Sequence, residues 1–214
     1  MNDFIKINPV FFRREVIVDF ETMESKLIDV KLAPFAINRF PVTNEEFFSF
    51  IRMSGYSPEN AKGFLFHWSE TMTPEYGKEL HPVVNVSYDD ALAYARFKGA
   101  RLPSDQEWLY AAFGPSNYNY PWGDDFSPCL CNVRESRKGG TTPVGSYSPQ
   151  GDSVFGCADM IGNVWEWTST SIDVDNELFL ALGTGWDHYS HQREIPLNSW
   201  YRNHSVGFRM VKDT

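Results

Sequence analysis

Three of the chain's five histidines, His188, His191 and His204, fall within one short C-terminal stretch, and Asp187 adds a carboxylate beside them. Two imidazoles and a carboxylate with open positions suit a redox metal such as non-haem iron(II), and copper also favours imidazole. The alternative for His188-x-x-His191 is a pair of solvated loop histidines that contact a ligand or nothing. A second group, Asp159, Gly162, Val164 and Glu166, is spaced three, two and two apart. In a tight loop that spacing can turn two carboxylates and two backbone carbonyls toward one point, the hard mixed oxygen set that Ca²⁺ takes. The competing reading has Asn163 and Glu166 capping turns while Trp165 and Trp167 fill the core. Cys129-Leu-Cys131 could hold a soft metal. Two thiolates without a second pair or a nearby histidine make a poor site, and with Cys157 the three cysteines read as reduced and structural.

Helices and strands must position these groups. Alternation of apolar and polar residues in Glu15–Phe20 and Asp29–Leu32 predicts short early strands. Three helix starts follow. Thr43 with Glu46 and Ser104 with Glu107 form capping boxes, and Ser87 with Asp89 and Asp90 opens the helix between them. Gly99 and Gly114 are the stops. The acidic pairs Glu45-Glu46 and Asp89-Asp90 sit in first turns, where they favour the helix dipole and need no acid–base role. After about residue 115 the chain is rich in turn residues, and a loop region this long needs something to pin it. The expectation is one irregular α+β domain over residues 1–214.

The whole composition narrows the function classes. The chain has 214 residues, 42% hydrophobic and 16% aromatic, which excludes disorder. A formal charge of −9 argues against a nucleic-acid partner. No stretch approaches the roughly 20 apolar residues of a membrane helix, and Met1–Val10 has no leader pattern, so no membrane partner and a cytoplasmic location are expected.

Several segments, in order, resemble the formylglycine-generating enzyme (sulfatase-modifying factor) family. They are FPVTN at 40–44, HPVVNVS at 81–87, GARLPS at 99–104, YPWGD at 120–124, TPVGS at 142–146, DMIGNVWEWT at 159–168 and GFR at 207–209. The resemblance implies an elaborated C-type-lectin-like fold with little regular secondary structure. It also implies a structural calcium held by the Asp159 and Glu166 side chains and the Gly162 and Val164 carbonyls. A second family calcium site keeps Asn132 and Val133, but its other half falls in Ser136–Gly140, where Arg137 and Lys138 would repel a cation; that site is expected to be lost.

Oxidases of this family use two cysteines shortly after a Gly-rich turn ending in Trp, and those thiolates hold copper(I). In this chain the turn ends at Trp186, and by residue count from it His188 stands near the first position and Arg193 near the second. Neither supplies a thiolate, so oxidation of a substrate cysteine is not expected. The expectation is a binding module for a protein, peptide or small-molecule ligand. Its surface would be Trp186, Asp187, His188, Tyr189, His191, Arg193, Asn198, Trp200, Tyr201, Arg202 and His204, residue types common in adaptable recognition surfaces. The segment also resembles the variable region of lectin-fold proteins diversified by retroelements. His81, in the HPVVNVS segment, is read as a packing or hydrogen-bonding residue; His67, beside Trp68 in an insertion-like loop, has the rim of the same surface as one position open to it.

Overall fold

The computed structural model describes residues 3–8, 10–19, 24–115 and 118–214. It is α+β, with nine strands and three helices among those residues. Strands β1 (Phe4–Ile7), β4 (Phe35–Asn38) and β9 (Val211–Asp213) form one antiparallel sheet in the order β1-β4-β9, which ties the beginning of the chain to its end. β2 (Val10–Asp19) and β3 (Glu24–Leu32) pair as a long hairpin with Val10 opposite Leu32. The strands expected over 15–20 and 29–32 fall within these two, with Phe20 outside the described residues. The third sheet runs β7-β6-β5-β8, from β5 (Trp165–Asp173), β6 (Leu178–Gly183), β7 (Glu194–Asn198) and the two-residue β8 (Val206–Gly207).

Each helix begins where its cap chemistry predicts. α1 (Asn44–Ser54), α2 (Tyr88–Phe97) and α3 (Asp105–Phe113) all carry complete capping boxes, from Thr43/Glu46, Ser87/Asp90 and Ser104/Glu107. In each box the hydroxyl accepts from the third helical N–H and the acidic side chain accepts from the cap residue's N–H, so two end donors are satisfied. α2 closes on Lys98, one residue before Gly99.

Two apolar clusters make the core. Phe47 and Phe50 of α1, Tyr94 of α2, Trp165, Trp167 and Phe208 pack in the first. Ile37, Trp108, Met160, Leu182 and Val211 pack in the second. β5 stands between them. Successive side chains on a strand point to opposite faces, so Trp165 and Trp167 enter the first cluster while Glu166 between them reaches Trp108 of the second. From Gly114 to Val164 the only helix or strand among the described residues is one 3₁₀ turn, Arg134–Ser136. Trp122 lies in this stretch, stacked on Tyr120 and only half-buried, so it caps a small satellite cluster instead of filling the main core. No helix among the described residues is long and apolar enough to cross a membrane.

Candidate functional site

The C-terminal loop leaves β6 at Gly183 and returns at β8. Gly185 is required there: a Cβ would stand 2.8 Å from Asp187 Oδ1 and 2.9 Å from Ser205 Cβ. The close approach lets Asp187 hold two histidines. His188 Nδ1–H donates to Oδ1 at 2.8 Å, and His204 Nε2–H donates to Oδ2 at 3.1 Å. Because a carboxylate only accepts, these bonds put a proton on each of those two nitrogens. Burial pushes the Asp187 carboxyl up, but hydrogen bonds from His188 and Ser205 more than offset this and hold it below the ordinary value. The Trp186 indole donates to the His204 carbonyl at 3.2 Å and packs on its ring, while His188 meets Trp165 edge-on at 5.3 Å. Trp186, Asp187, His188 and His204 thus form one connected group.

His191 does not join it. Its ring stacks on Tyr189 at 5.8 Å, at the exposed end of the loop. The set His188, His191 and His204 is therefore not assembled around one point: Asp187 gathers only the first and third. Among the described residues no group of three or more His, Cys, Asp or Glu side chains is arranged to hold a metal.

The rest of the expected surface divides. Arg193 lies against the rings of Tyr120 (5.0 Å) and Phe113 (5.6 Å), and burial lowers its pKa; it is a packing residue, not part of an open surface. Arg202 is likewise committed inside the fold. Its guanidinium pairs with buried Asp90 at 2.8 Å, donates to the Asn60 and Lys62 carbonyls and stacks on Phe64. Tyr201 packs on the first core cluster, and Asn198 is a β7 residue opposite Leu178. Trp200 is exposed, but it borders a different pocket, with Tyr56, Asn60 and Asp89. The eleven residues are thus two places and a structural set between them.

Trp186 forms part of the wall of two cavities. One, of about 180 Å³, is shared with His67, His81, Asn85, Thr141 and His204. There His81 Nδ1 lies 2.9 Å from Thr141 Oγ1, and His67 Nδ1 lies 3.0 Å from Asn85 Nδ2. Burial lowers the pKa of both histidines, His67 to about 4. The other cavity, of about 390 Å³, brings Trp186 and Asp187 together with Arg134, Arg137, Lys138 and Gly139. Sequence reasoning had Trp186, Asp187, His204 and an open rim position for His67, but not His81, Asn85 and Thr141 on one wall or the basic side chains on the other. Their signals were a histidine and an asparagine inside one motif, and a basic run in an acidic chain.

The loop of the expected calcium site is tightly folded: Asp159, Gly162 and Asn163 all have positive φ, at 55, 94 and 71°. A Cβ at Gly162 would meet the Asn132 backbone at 2.6 Å, so only glycine lets these strands of loop touch. The Glu166 carboxylate is fully buried. It accepts from Trp108 Nε1 at 2.7 Å and from Arg209 Nε and Nη2 at 2.6 and 2.8 Å. Asp159 accepts from the Gly145 N–H at 2.6 Å, and burial pushes its carboxyl up to about 6 despite that bond and Arg209. Two carboxylates and one guanidinium share this region, and a carboxylate has about four acceptor positions, of which Glu166 uses three. The oxygen donors are of the type a hard divalent cation takes, and with Arg209 paired to Glu166 it is Asp159 whose charge is left to balance one. In the region of the second family site, the Ser136 hydroxyl lies 2.6 Å from the Val133 carbonyl and 3.5 Å from Asn132 Oδ1, the two oxygens that site would draw on. Cys131 and Cys157 are buried thiols whose pKa values burial raises to about 12 and about 11, and Cys129 is exposed.

This architecture is the irregular C-type-lectin-like fold of formylglycine-generating enzymes. A model of the sulfatase-modifying factor enzyme 1-like domain matches residues 12–214, and the chain belongs to that family. It is 32% identical to the inactive C-alpha-formylglycine-generating enzyme 2 of Bos taurus, over 76% of this chain and 69% of that protein. It is 31% identical to the formylglycine-generating enzyme of Mycobacterium tuberculosis, over 71% of this chain and 68% of that one. Among solved structures, PvdO of Pseudomonas aeruginosa superposes with a TM-score of 0.76 at 21% identity, covering 99% of this chain and 94% of that one. Treponema denticola variable protein 1 gives 0.73 at 15% identity, covering 99% and 95%. At such identities these two structures establish shared fold.

Proposed function

We propose that this chain is a ligand-binding member of the family without oxidase activity. The loop centred on Trp186, with Tyr189, His188, His191 and His204 about it, would be its contact surface. One observation carries the reading: counted from Trp186, the positions near those where the family's oxidases place thiolates hold His188, bonded to Asp187, and Arg193, packed on two rings. Neither can hold copper(I) as a thiolate pair does. Similarity to a relative named as inactive is in keeping with this. A structural calcium at Asp159, Gly162, Val164 and Glu166 would hold the irregular half in place, without taking part in binding. Free Cys129, Cys131 and Cys157 suit a reducing compartment such as the cytoplasm.

The test begins with metal analysis of protein purified without chelator. We expect no stoichiometric iron or copper. Stoichiometric redox metal that disappears in a His188→Ala/His191→Ala variant would replace the binding reading with a metal oxidoreductase. A cysteine peptide incubated with the protein, copper(I) and oxygen should be recovered with its mass unchanged. A retroelement-diversified version of this reading requires a reverse transcriptase and a template repeat beside the gene. A fixed-specificity module requires neither, so sequencing the flanks decides between them.

A further inference from the structure

We propose that the 390 Å³ cavity beside Trp186 is an anion subsite that takes the carboxylate side chains of an acidic peptide segment. The inference rests on the ligand-binding reading and names the chemistry of that ligand. Arg134, Arg137 and Lys138 line the cavity, all three are exposed, and none is ion-paired with a carboxylate among the described residues. Glu135, the acid within the same run, is turned elsewhere. Its carboxylate accepts from Ser190 N–H at 3.0 Å and from Ser190 Oγ at 2.9 Å. Asp187, the one acid on the cavity wall, is engaged by His188 and His204. In a chain of net charge −9, three cations without a carboxylate partner gather here on one concave surface, against the single carboxylate of Asp187 on its wall.

The surface is held in place. The Arg134 N–H donates to the His188 carbonyl at 2.9 Å, which joins the 3₁₀ turn to the C-terminal loop, and the Arg134 guanidinium lies 4.9 Å over the Tyr189 ring. Arg137 and Gly139 both have positive φ, 55 and 75°, so the backbone turns sharply beneath the basic side chains. Size and walls favour an organic anion over a single free ion. The cavity is within the range of about 300–1,000 Å³ typical of ligand sites. Trp186 supplies a flat apolar wall and also borders the second cavity, whose wall is neutral and polar at Asn85 and Thr141, each held by a histidine. An extended peptide crossing Trp186 can place carboxylates on the basic side and its backbone polar groups on the other.

The probe is a fluorescein-labelled tetraglutamate peptide, followed by anisotropy on the whole chain. Saturable binding is expected at low salt, weakening as salt rises because exposed charges are screened beyond about 8–10 Å. In Arg137→Ala/Lys138→Ala the affinity should fall about tenfold or more, as when charges complementary to a partner are removed. Lys98→Ala, a basic residue at another pocket, should leave it unchanged. Equal affinity of the double variant and the unsubstituted chain overturns the subsite. So does equal binding of a neutral tetraglutamine peptide, though that result leaves the parent reading standing. Displacement by inorganic phosphate as effective as by unlabelled tetraglutamate shows a phosphate site and overturns the peptide assignment. If tetraglutamate does not bind at all, the subsite is wrong, and the metal analysis decides the parent reading separately.

Discussion

His67 sits on the wall of the smaller cavity with one nitrogen facing Asn85 and the other, Nε2, buried without a hydrogen-bond partner. Burial holds its pKa at about 4, below the value of about 6.5 that an unfolded chain gives it. The unfolded state therefore binds the extra proton first as pH falls. The stability involved is complete above about pH 6.5 and is lost as pH drops toward 4. Relative to a His67→Leu variant, the protein should lose about 1–2 kcal/mol more between pH 7 and pH 5, read from urea midpoints. Parallel pH profiles for the two would contradict this. Glu166 makes the opposite case, a buried charge with its partner present. Removing either side of the Glu166–Arg209 pair leaves the other charge uncompensated, and Glu166→Ala should cost about 3–5 kcal/mol. Arg209→Lys should rescue little, because the guanidinium also donates to the Asn38, Arg39 and Ala158 carbonyls through a planar fork an ammonium lacks. The sequence marks Glu166 as unusual, between two tryptophans. It does not show that Arg209, 43 residues away, is what it meets.

At the scale of elements, legibility follows the range of the interaction. The three helix starts could be read because a capping box is complete within four residues. The stretch from Gly114 to Val164 could not, because what orders it is distant. Asn163 bonds Thr142 and Asn132, Asp159 bonds Gly145, and the Ala158 N–H reaches Arg39. Range is also what separates the Arg202 of the sequence, a candidate for the ligand surface, from the Arg202 of the fold. Arg is a common interface residue, and nothing near it in sequence reveals Asp90, Asn60 or Lys62 as its partners. Arg202 instead fastens the loop around 60–62 to the start of α2, while its neighbour Trp200 is 60% exposed. Two alanine variants separate the roles. Arg202→Ala breaks a buried ion pair and should lower stability by about 3 kcal/mol or more. Trp200→Ala should stay within about 0.5 kcal/mol of the unsubstituted chain, as surface changes usually do. Similar denaturation midpoints for both would return Arg202 to the exposed surface.

For the molecule as a whole, the open question is what stabilises a half with so little regular structure. The loop 159–166 is where that half meets the two core clusters: Met160 packs in one, Trp165 in the other, and Glu166 crosses between them. A cation there would stabilise the folded chain alone, since the unfolded chain does not bring Asp159, Glu166 and the intervening carbonyls together. A ligand held only by the folded state adds about 2.7 kcal/mol when present at 100 times its dissociation constant. For a chain of this length each kcal/mol moves the melting temperature by about 2–4 °C. Calcium added to chelator-treated protein should therefore raise Tm by about 5–10 °C. Magnesium should do much less, because it demands near-ideal octahedral geometry and gives up its water reluctantly. Asp159→Ala should abolish the calcium response while keeping the Glu166–Arg209 pair, so the variant remains folded for the comparison. A melting temperature that is the same in calcium and in chelator would remove the ion from the account. The Glu166–Arg209 pair and the Asn163 hydrogen bonds would then be left as what pins the irregular half.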